Sequence, residues 1–174
     1  MTAEIRPLPR AEYEGFEFTV EYTADRFYDV ERLDEGFRLK LTECAPMKKG
    51  FADHLFGEWL EEPVAFGAFE GERLLGFIEG SVESWHNVFR ISNVFVYPEA
   101  RRTGVGSMLI RHMIDYARTE SGCRAVILET QSCNFPAISL YKKHGFRLCR
   151  IDIGEYTNHD VENREVRIDL MLKF

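Results

Sequence analysis

Two arginines and two glycines lie between an apolar run and an amphipathic pattern in residues 96–118. Arg101 and Arg102 can supply charge-assisted donors, and Gly104 and Gly106 stand where the helical pattern begins. The first N–H groups of a helix lack intrahelical partners and carry about half a positive charge. A glycine beside them lets a phosphate approach without meeting a Cβ. The stretch therefore predicts a pyrophosphate clamp at a helix end, with loop-closing glycines and solvated arginines as the alternative.

Two other phosphate-binding motifs do not fit this stretch. A Walker loop requires Gly-Lys-Ser/Thr, and the sequence has no lysine between Lys49 and Lys142. A Rossmann fingerprint requires a glycine three residues after Gly106, where Leu109 stands, and a tight junction between strand and glycine. The predicted anion site is therefore neither of these nucleotide loops.

Hydrophobic periodicity predicts the elements that must position this helix end. Helical spacing predicts a helix over residues 51–60, a helix of about four turns after Gly104, and a helix between Pro136 and Gly145. Alternating or continuous apolar runs predict strands over residues 16–23, 37–41, 64–69, 74–82, 89–97, 125–129, 146–153 and 166–174. From residue 64 onward, the order β-β-β-α-β-α-β-β indicates a single α/β sandwich with a mixed sheet.

Length and composition favour one globular domain. The chain has 174 residues, of which 45% are hydrophobic and 29% charged, which is typical of a soluble protein. No apolar run approaches the ~20 residues of a membrane span, and the first residues lack the apolar centre of a secretory signal. The four cysteines form no CxxC pair, so we expect reduced thiols in a cytoplasm and no metal site. We also expect a monomer or a homodimer.

The charge of the chain is concentrated near its N-terminus. The net charge is −7, which argues against nucleic acid as a partner. Residues 11–35 contain nine acids and two bases, so this segment alone accounts for the net charge of the chain. This acidic segment has two interpretations. It is either a solvated edge that resists aggregation or the opening of a binding site that attracts a cation.

Two ordered motifs resemble the GNAT superfamily of N-acetyltransferases. Residues 101–106 match the signature Arg/Gln-x-x-Gly-x-Gly/Ala, and "NFPAISLYKKHGF" at residues 134–146 matches the second signature, so the resemblance covers about residues 74–153. Within the superfamily, "LETQSCNFPAISLYKKHGF", "CRIDIGEY" and "SWHN" are similar to the streptothricin acetyltransferases. The N-terminal third lacks an obvious pair of the family's early helices.

The resemblance implies a fold, a cosubstrate and a binding site. The fold would be one GNAT-like domain over residues 1–174, with a mixed, mostly antiparallel sheet flanked by helices and splayed fourth and fifth strands. The cosubstrate would be acetyl-CoA, with no metal. Its binding residues would be Val94, Phe95, Val96, Arg101, Arg102, Thr103, Gly104, Val105, Gly106, Ser107, Asn134 and Tyr141.

The implied chemistry is a direct attack of an amine on a thioester, which needs a base. An amine with a pKa of about 10.4 is neutral only about once in ~2,500 molecules at pH 7, a deficit near 4.6 kcal/mol. Tyr141 would be the acid that protonates the leaving thiolate. Glu129 would be the base, because it ends an apolar strand twelve residues before Tyr141, as in relatives that acetylate ribosomal-protein N-termini. A core tyrosine and a paired charge at a strand end are the alternatives.

Further residues are candidates for binding the amine. Many relatives carry a carboxylate on the fourth strand, but this chain has Ser92 and Asn93 there, which leaves Glu79 and Glu83 as runners-up to Glu129. Trp85, next to His86, either lines the acceptor pocket or caps the core. Cys133 is expected to pack, since no covalent intermediate is needed.

Three functions follow from the sequence. The first is acetyl transfer from acetyl-CoA to a primary amine of a small cationic molecule, with a streptothricin-type antibiotic as the first candidate. The second keeps this chemistry but acts on a protein N-terminal amine or a polyamine. The third is an acyl-CoA-binding module without catalysis, which would need neither Tyr141 nor Glu129.

Overall fold

A computed structural model describes residues 3–174. Within that range the strands are β1 (Glu4–Pro7), β2 (Glu17–Leu33), β3 (Gly36–His54), β4 (Val64–Glu70), β5 (Arg73–Glu83), β6 (Val88–Val96), β7 (Ala125–Gln131), β8 (Arg147–Asp152) and β9 (Arg167–Lys173). The helices are α1 (Arg10–Tyr13), α2 (Val105–Thr119), α3 (Phe135–Lys143) and α4 (Asp160–Asn163), and a 3₁₀ turn covers Pro98–Ala100. No helix in the described range is long and apolar enough to cross a membrane.

The strands form one mixed sheet and one separate ribbon. The sheet has the order β1-β4-β5-β6-β7-β9-β8, and β2 pairs with β3 in a two-stranded ribbon. Strand β6 is parallel to β7, whereas the pairs β1–β4, β4–β5, β5–β6 and β8–β9 are antiparallel. This architecture confirms the prediction of an α/β fold with a mixed, mostly antiparallel sheet.

The chain divides into two compact units. The first unit contains residues 3–20, Ala52–Leu128 and Leu172–Phe174, and the second contains Glu21–Phe51 and Glu129–Met171. The core of the first unit is aromatic, since the ring of Phe77 lies 4.9 Å from that of Phe18 and 5.1 Å from that of Phe95. Such aromatic pairs contribute about 0.5–1.5 kcal/mol each beyond the burial of their area.

An irregularity in β6 lies beside the strand segment proposed for cosubstrate binding. In the pairing of β5 with β6, Glu79 is opposite Asn93 and Gly80 is opposite Ile91, which leaves Ser92 unopposed as a bulge. Among the described residues, the pairs between β6 and β7 end at Ile91 and Leu128. Strand β6 then continues to Val96 along β5. This pairing agrees with a splay between β6 and β7, which correspond to the fourth and fifth strands of the implied fold.

Helix α3 of the second unit begins and ends at the predicted residues. The Asn134 side chain is the N-cap and accepts a hydrogen bond from Ala137 N at 3.3 Å, and Pro136 occupies the first turn. Gly145 follows the helix with a φ of +91°, a left-handed conformation that favours glycine. Phe146 N then donates to the Tyr141 carbonyl at 3.2 Å, which closes the helix end.

The helix predicted over residues 51–60 is wrong. Strand β3 continues to His54, and turns follow in which Phe56 has a φ of +61°. The apolar spacing fits one helical face, but the backbone is bonded elsewhere: Leu55 N donates to Phe16 O at 3.1 Å and Phe56 N donates to the Glu79 carboxylate. The strands predicted over residues 16–23 and 37–41 are parts of the much longer β2 and β3.

Candidate active site

The helix end predicted to bind an anion belongs to the first unit and is open. Gly104 is the N-cap of α2 with a φ of +99°, and a Cβ placed there would meet no heavy atom within 4 Å. Its carbonyl accepts the hydrogen bond of Met108 N at 3.0 Å, so the helical bonding begins at this residue. The 15-residue helix therefore presents its first amide groups next to exposed space, the arrangement that favours a bound anion.

The residues before Gly104 form an exposed loop joined to the end of β6. Arg101 Nε donates to the Val96 carbonyl at 3.0 Å, and Thr103 Oγ1 donates to the Ala100 carbonyl at 2.6 Å. Arg102 is exposed and has a φ of +62°. The first unit thus brings the β6 segment and the loop together, as the candidate residues Val94, Phe95, Val96, Arg101, Arg102, Thr103, Gly104, Val105, Gly106 and Ser107 require.

The second unit carries Tyr141, the candidate acid. Tyr141 lies in α3 and is buried, with its ring 6.3 Å from that of Phe146. Burial raises the pKa of its phenol to about 12, because the charged phenolate would lose its hydration. The hydroxyl therefore keeps its proton at neutral pH, as a proton donor must.

Glu129, the candidate base, lies near the end of β7 in an ion-pair cluster. Its Oε2 is 2.6 Å from Arg167 Nη2, and its side chain is 34% exposed. Arg167 also contacts Glu155 and the buried Asp169. Burial lowers the pKa of the Arg167 guanidinium, but the neighbouring carboxylates outweigh burial, so this pKa lies above its usual value. The carboxylate at the strand end is therefore paired and still reachable from solvent.

Glu79, a candidate for amine binding, is held inside the first unit. It is fully buried, and its carboxylate accepts hydrogen bonds from Phe56 N at 2.5 Å and from Asn93 Nδ2 at 2.9 Å. Burial raises the pKa of this carboxyl above its usual value, while the two hydrogen bonds act in the opposite direction. These contacts join the turn after β3 to the bulged strand β6.

Glu83, Trp85 and His86 lie at the turn between β5 and β6. Glu83 forms an ion pair with Arg90, and its Oε2 lies 3.3 Å from His86 Nε2. Trp85 is 74% exposed, with its ring centroid 3.6 Å from that of His86. The indole therefore does not cap the core, which leaves the acceptor-pocket interpretation of Trp85 as a prediction.

Cys133 is buried and bonded in the second unit. Its sulfur lies 3.2 Å from the Tyr22 hydroxyl, which itself donates to Gln131 Oε1 at 2.7 Å. Burial is the main cause that raises the pKa of this thiol, so the nucleophilic thiolate is disfavoured. This environment agrees with a packing role. No group of three or more metal-binding side chains occurs among residues 3–174.

Sequence reasoning missed Arg167 and the Glu79–Asn93 bond. One signal for Arg167 was available, because "RIDL" alternates charged and apolar residues in the last strand, and such alternation places Arg167 and Asp169 on one face. The Glu79–Asn93 bond depends on the bulge in β6, and no residue type in the sequence marks that bulge.

Comparison with known proteins decides the family. The model of the acetyltransferase (GNAT) family matches residues 21–146, which is more than half of the chain. The chain belongs to this family. It is therefore an N-acetyltransferase that depends on acetyl-CoA, and the GNAT resemblance of its two motifs is confirmed.

Individual relatives of this GNAT protein include antibiotic acetyltransferases. A streptothricin acetyltransferase of Streptomyces lavendulae is 32% identical, with coverage of 78% of this chain and 76% of the relative. A streptothricin acetyltransferase of Escherichia coli is 29% identical over 92% of this chain and 90% of the relative. The crystal structure of nourseothricin acetyltransferase matches with a TM-score of 0.80 at 25% identity, over 99% of both chains.

A second solved structure supports the fold alone. A Bacillus anthracis protein crystallised in complex with acetyl coenzyme A matches with a TM-score of 0.77 at 22% identity, over 100% of this chain and 98% of that chain. Both solved structures therefore match this fold over nearly its whole length.

Proposed function

We propose that this GNAT enzyme transfers the acetyl group of acetyl-CoA to a primary amine of a streptothricin-type antibiotic. The extent of similarity carries the proposal. The Escherichia coli streptothricin acetyltransferase aligns over 92% of the chain. The unaligned part of the chain is shorter than the β2–β3 ribbon, so the alignment includes at least part of that ribbon. Human N-alpha-acetyltransferase 30 aligns over only 48% of the chain, although it is 35% identical there.

The charge of the chain supports a cationic acceptor. Nine acids and two bases in residues 11–35 give this segment a net charge equal to the −7 of the whole chain. Exposed carboxylates contribute only ~0–1 kcal/mol per pair with a bound ammonium group. Several together raise the rate at which a multiply charged ligand reaches the protein. A polycationic small molecule is therefore the acceptor class that we favour.

The first unit supplies the proposed groups for acetyl-CoA. The amides at the start of α2 and the side chains of Arg101 and Arg102 would bind the pyrophosphate, because Gly104 leaves that helix end open. The backbone of residues 94–96 would bind the pantetheine arm. Acetyl-CoA supplies the acetyl group as a thioester, which an amine can attack without a covalent enzyme intermediate.

The second unit supplies the proposed acid and base. Glu129 would accept the proton that the cationic amine must lose before it attacks, directly or through water. Tyr141 would donate a proton to the departing sulfur, since its raised pKa of about 12 keeps the phenol protonated. The buried thiol of Cys133 takes no part in this direct transfer.

Replacement of Glu129 by glutamine tests the base. The E129Q enzyme should lose activity most near neutral pH and recover as the pH rises, because free amine accumulates without help from a base. Steady-state kcat/KM for the amine between about pH 6 and pH 10 measures this. A variant with the wild-type rate and pH profile would move the role to Glu79 or Glu83.

One other acceptor has an observation in its favour. The 35% identity to human N-alpha-acetyltransferase 30 over 86 residues keeps a protein N-terminal amine as the second candidate. That match covers only 24% of the human relative, so it supports the shared acetyltransferase chemistry rather than a shared acceptor.

Expression in a streptothricin-sensitive bacterium tests the proposed acceptor. The wild-type protein should raise the streptothricin concentration that stops growth, and the Y141F variant expressed at the same level should not. A second antibiotic without a primary amine should act equally on both strains. Full sensitivity to streptothricin in cells that contain soluble, folded protein would contradict the proposal.

A further inference from the structure

Arg167 is the centre of the ion-pair cluster at the proposed base. Its Nη2 lies 2.6 Å from Glu129 Oε2, its Nη1 lies 2.6 Å from Glu155 Oε1, and its Nε lies 2.8 Å from Asp169 Oδ1. All three nitrogens of one planar guanidinium are therefore engaged by three different carboxylates. A guanidinium can hold this arrangement because its donors form a fixed fork, whereas a lysine ammonium is a single point charge.

The cluster has a buried side and an accessible side. Asp169 is fully buried, and it also accepts a hydrogen bond from Arg150 Nη1 at 3.1 Å. The Arg167 side chain is only 15% exposed, while those of Glu129 and Glu155 are 34% and 39% exposed. Asp169 thus holds the guanidinium of Arg167 from the buried side, and Arg167 in turn holds the carboxylate of Glu129 near solvent.

We propose that Arg167 is a positioning residue that keeps Glu129 ionised and oriented to receive the proton of the acceptor amine. This inference rests on the proposed role of Glu129 as the base. A neighbouring guanidinium favours the charged form of a carboxylate. A carboxylate has about four lone-pair sites, so the bond to Arg167 leaves acceptor capacity for a proton.

Other charged groups around Glu129 oppose the ionised state. Tyr156 lies close enough for the charge of Glu129 to raise the pKa of its phenol, an effect second to that of burial. Asp169 on β9 and Glu155 in the preceding loop add negative charge, and Arg150 on β8 offsets part of it. The net charge of these three carboxylates and two guanidinium groups is −1, so the loss of Arg167 would leave Glu129 among like charges.

The test compares two arginine variants in the same cluster. Arg167→Gln removes the guanidinium that is paired with Glu129. Arg150→Gln removes the guanidinium that is paired with Asp169 and leaves the Arg167–Glu129 pair in place. The acid limb of kcat/KM for the amine should move up by about one to two pH units in R167Q. It should move by at most about half a pH unit in R150Q, because Arg150 is paired with Asp169.

Arg167→Lys covers the case in which R167Q does not fold. Lysine retains the charge but not the fork, so R167K should keep the acid limb within about half a pH unit of wild type while kcat falls about tenfold. Calorimetric affinity for acetyl-CoA should match wild type in every variant that folds. An unshifted acid limb in R167Q, or an unchanged kcat in R167K, overturns the inference.

A parallel measurement separates this inference from the proposed function. If E129Q retains the wild-type rate, the assignment of the base fails, and the role of Arg167 fails with it. If E129Q is slow but the acid limb of R167Q does not move, Glu129 remains the base and Arg167 is only structural.

Discussion

At the scale of single residues, removal of the Tyr141 hydroxyl tests the proposed role of Tyr141 as the acid. Tyr141→Phe keeps the buried ring and removes the hydroxyl, so kcat should fall about 100-fold or more while the affinity for acetyl-CoA stays near wild type. Tyr28→Phe is the matched control, because it removes a hydroxyl that accepts a bond from Lys142 in the same unit. An assay of thiol release measures kcat, and calorimetry measures the affinity for acetyl-CoA. Equal kcat for Y141F and wild type would remove Tyr141 from the mechanism.

The sequence predicted single residues well where their role depends on neighbours along the chain. Pro136 near a helix start and Gly145 at a helix end are local features, and both residues have these roles in the structure. The partner of Glu129 could not be predicted, because it depends on which strand lies next to β7. The sheet places β9 there, and Arg167 is on that strand.

At the scale of elements, the start of α2 should bind the pyrophosphate. Gly104→Asp places a carboxylate at this helix end, so the Kd for acetyl-CoA should rise about tenfold or more, which corresponds to about 1.4 kcal/mol. Gly122→Asp is the matched control, since Gly122 lies beyond the other end of α2 with a φ of +66° and equal open space. Both variants carry a similar backbone strain of about 1–2 kcal/mol. Equal Kd values in the two variants would exclude this helix end.

The same helix contains a histidine that should make stability depend on pH. The ring of His112 packs edge-on against that of Phe66, with the ring centroids 4.4 Å apart, and its Nε2 is buried without a hydrogen-bond partner among residues 3–174. Burial lowers the pKa of the imidazole from 6.5. Below pH 6.5 the unfolded chain therefore binds a proton that the folded protein resists, so stability is lost as the pH falls.

Thermal unfolding measures this dependence. The Tm of the wild type should fall more between about pH 7 and pH 5 than that of His112→Leu, because leucine removes the titrating group. His159→Leu, at an exposed histidine, should keep the wild-type slope. Identical slopes for H112L and wild type would show that the buried imidazole does not control this part of the profile.

Elements were predictable where local spacing and tertiary bonding agree. The hairpin of β4 and β5 and helix α2 lie where their patterns indicate. Residues 51–60 have helical spacing, yet Glu79 binds the backbone of Phe56 and Phe16 binds that of Leu55, so tertiary hydrogen bonds override the local preference. The full length of β3 could not be predicted either, since most of its side chains are exposed and the strand shows no apolar alternation after Leu41.

At the scale of the whole molecule, the net charge of −7 should raise the affinity for a polycationic acceptor. The KM for the amine should rise steeply from low to physiological ionic strength, because salt screens attraction between exposed charges. The KM for acetyl-CoA should respond differently, since its proposed site is cationic. Two of the acids that carry this charge already have partners: Asp25 lies 3.1 Å from Arg26, and Glu31 lies 3.0 Å from Arg38.

Removal of charge from the acidic segment tests this account of the salt effect. One variant neutralises four acids as amides, and its control neutralises four exposed acids of the first unit. The first set is Asp25, Asp29, Glu31 and Asp34, and the control set is Glu62, Glu72, Asp115 and Glu120. The salt dependence of the amine KM should flatten more in the first set. Equal slopes in both variants would make residues 11–35 only a solvated edge.

The most direct measurement combines the purified protein, acetyl-CoA and streptothricin, with thiol release followed in solution and the product identified by mass spectrometry. We expect one thiol released for each acetyl group gained by the antibiotic, and acetylation at a primary amine. Peptides with free N-terminal amines and a polyamine should react with a kcat/KM at least about 100-fold lower. Higher kcat/KM for a peptide N-terminus or a polyamine, with streptothricin left unmodified, would contradict the account.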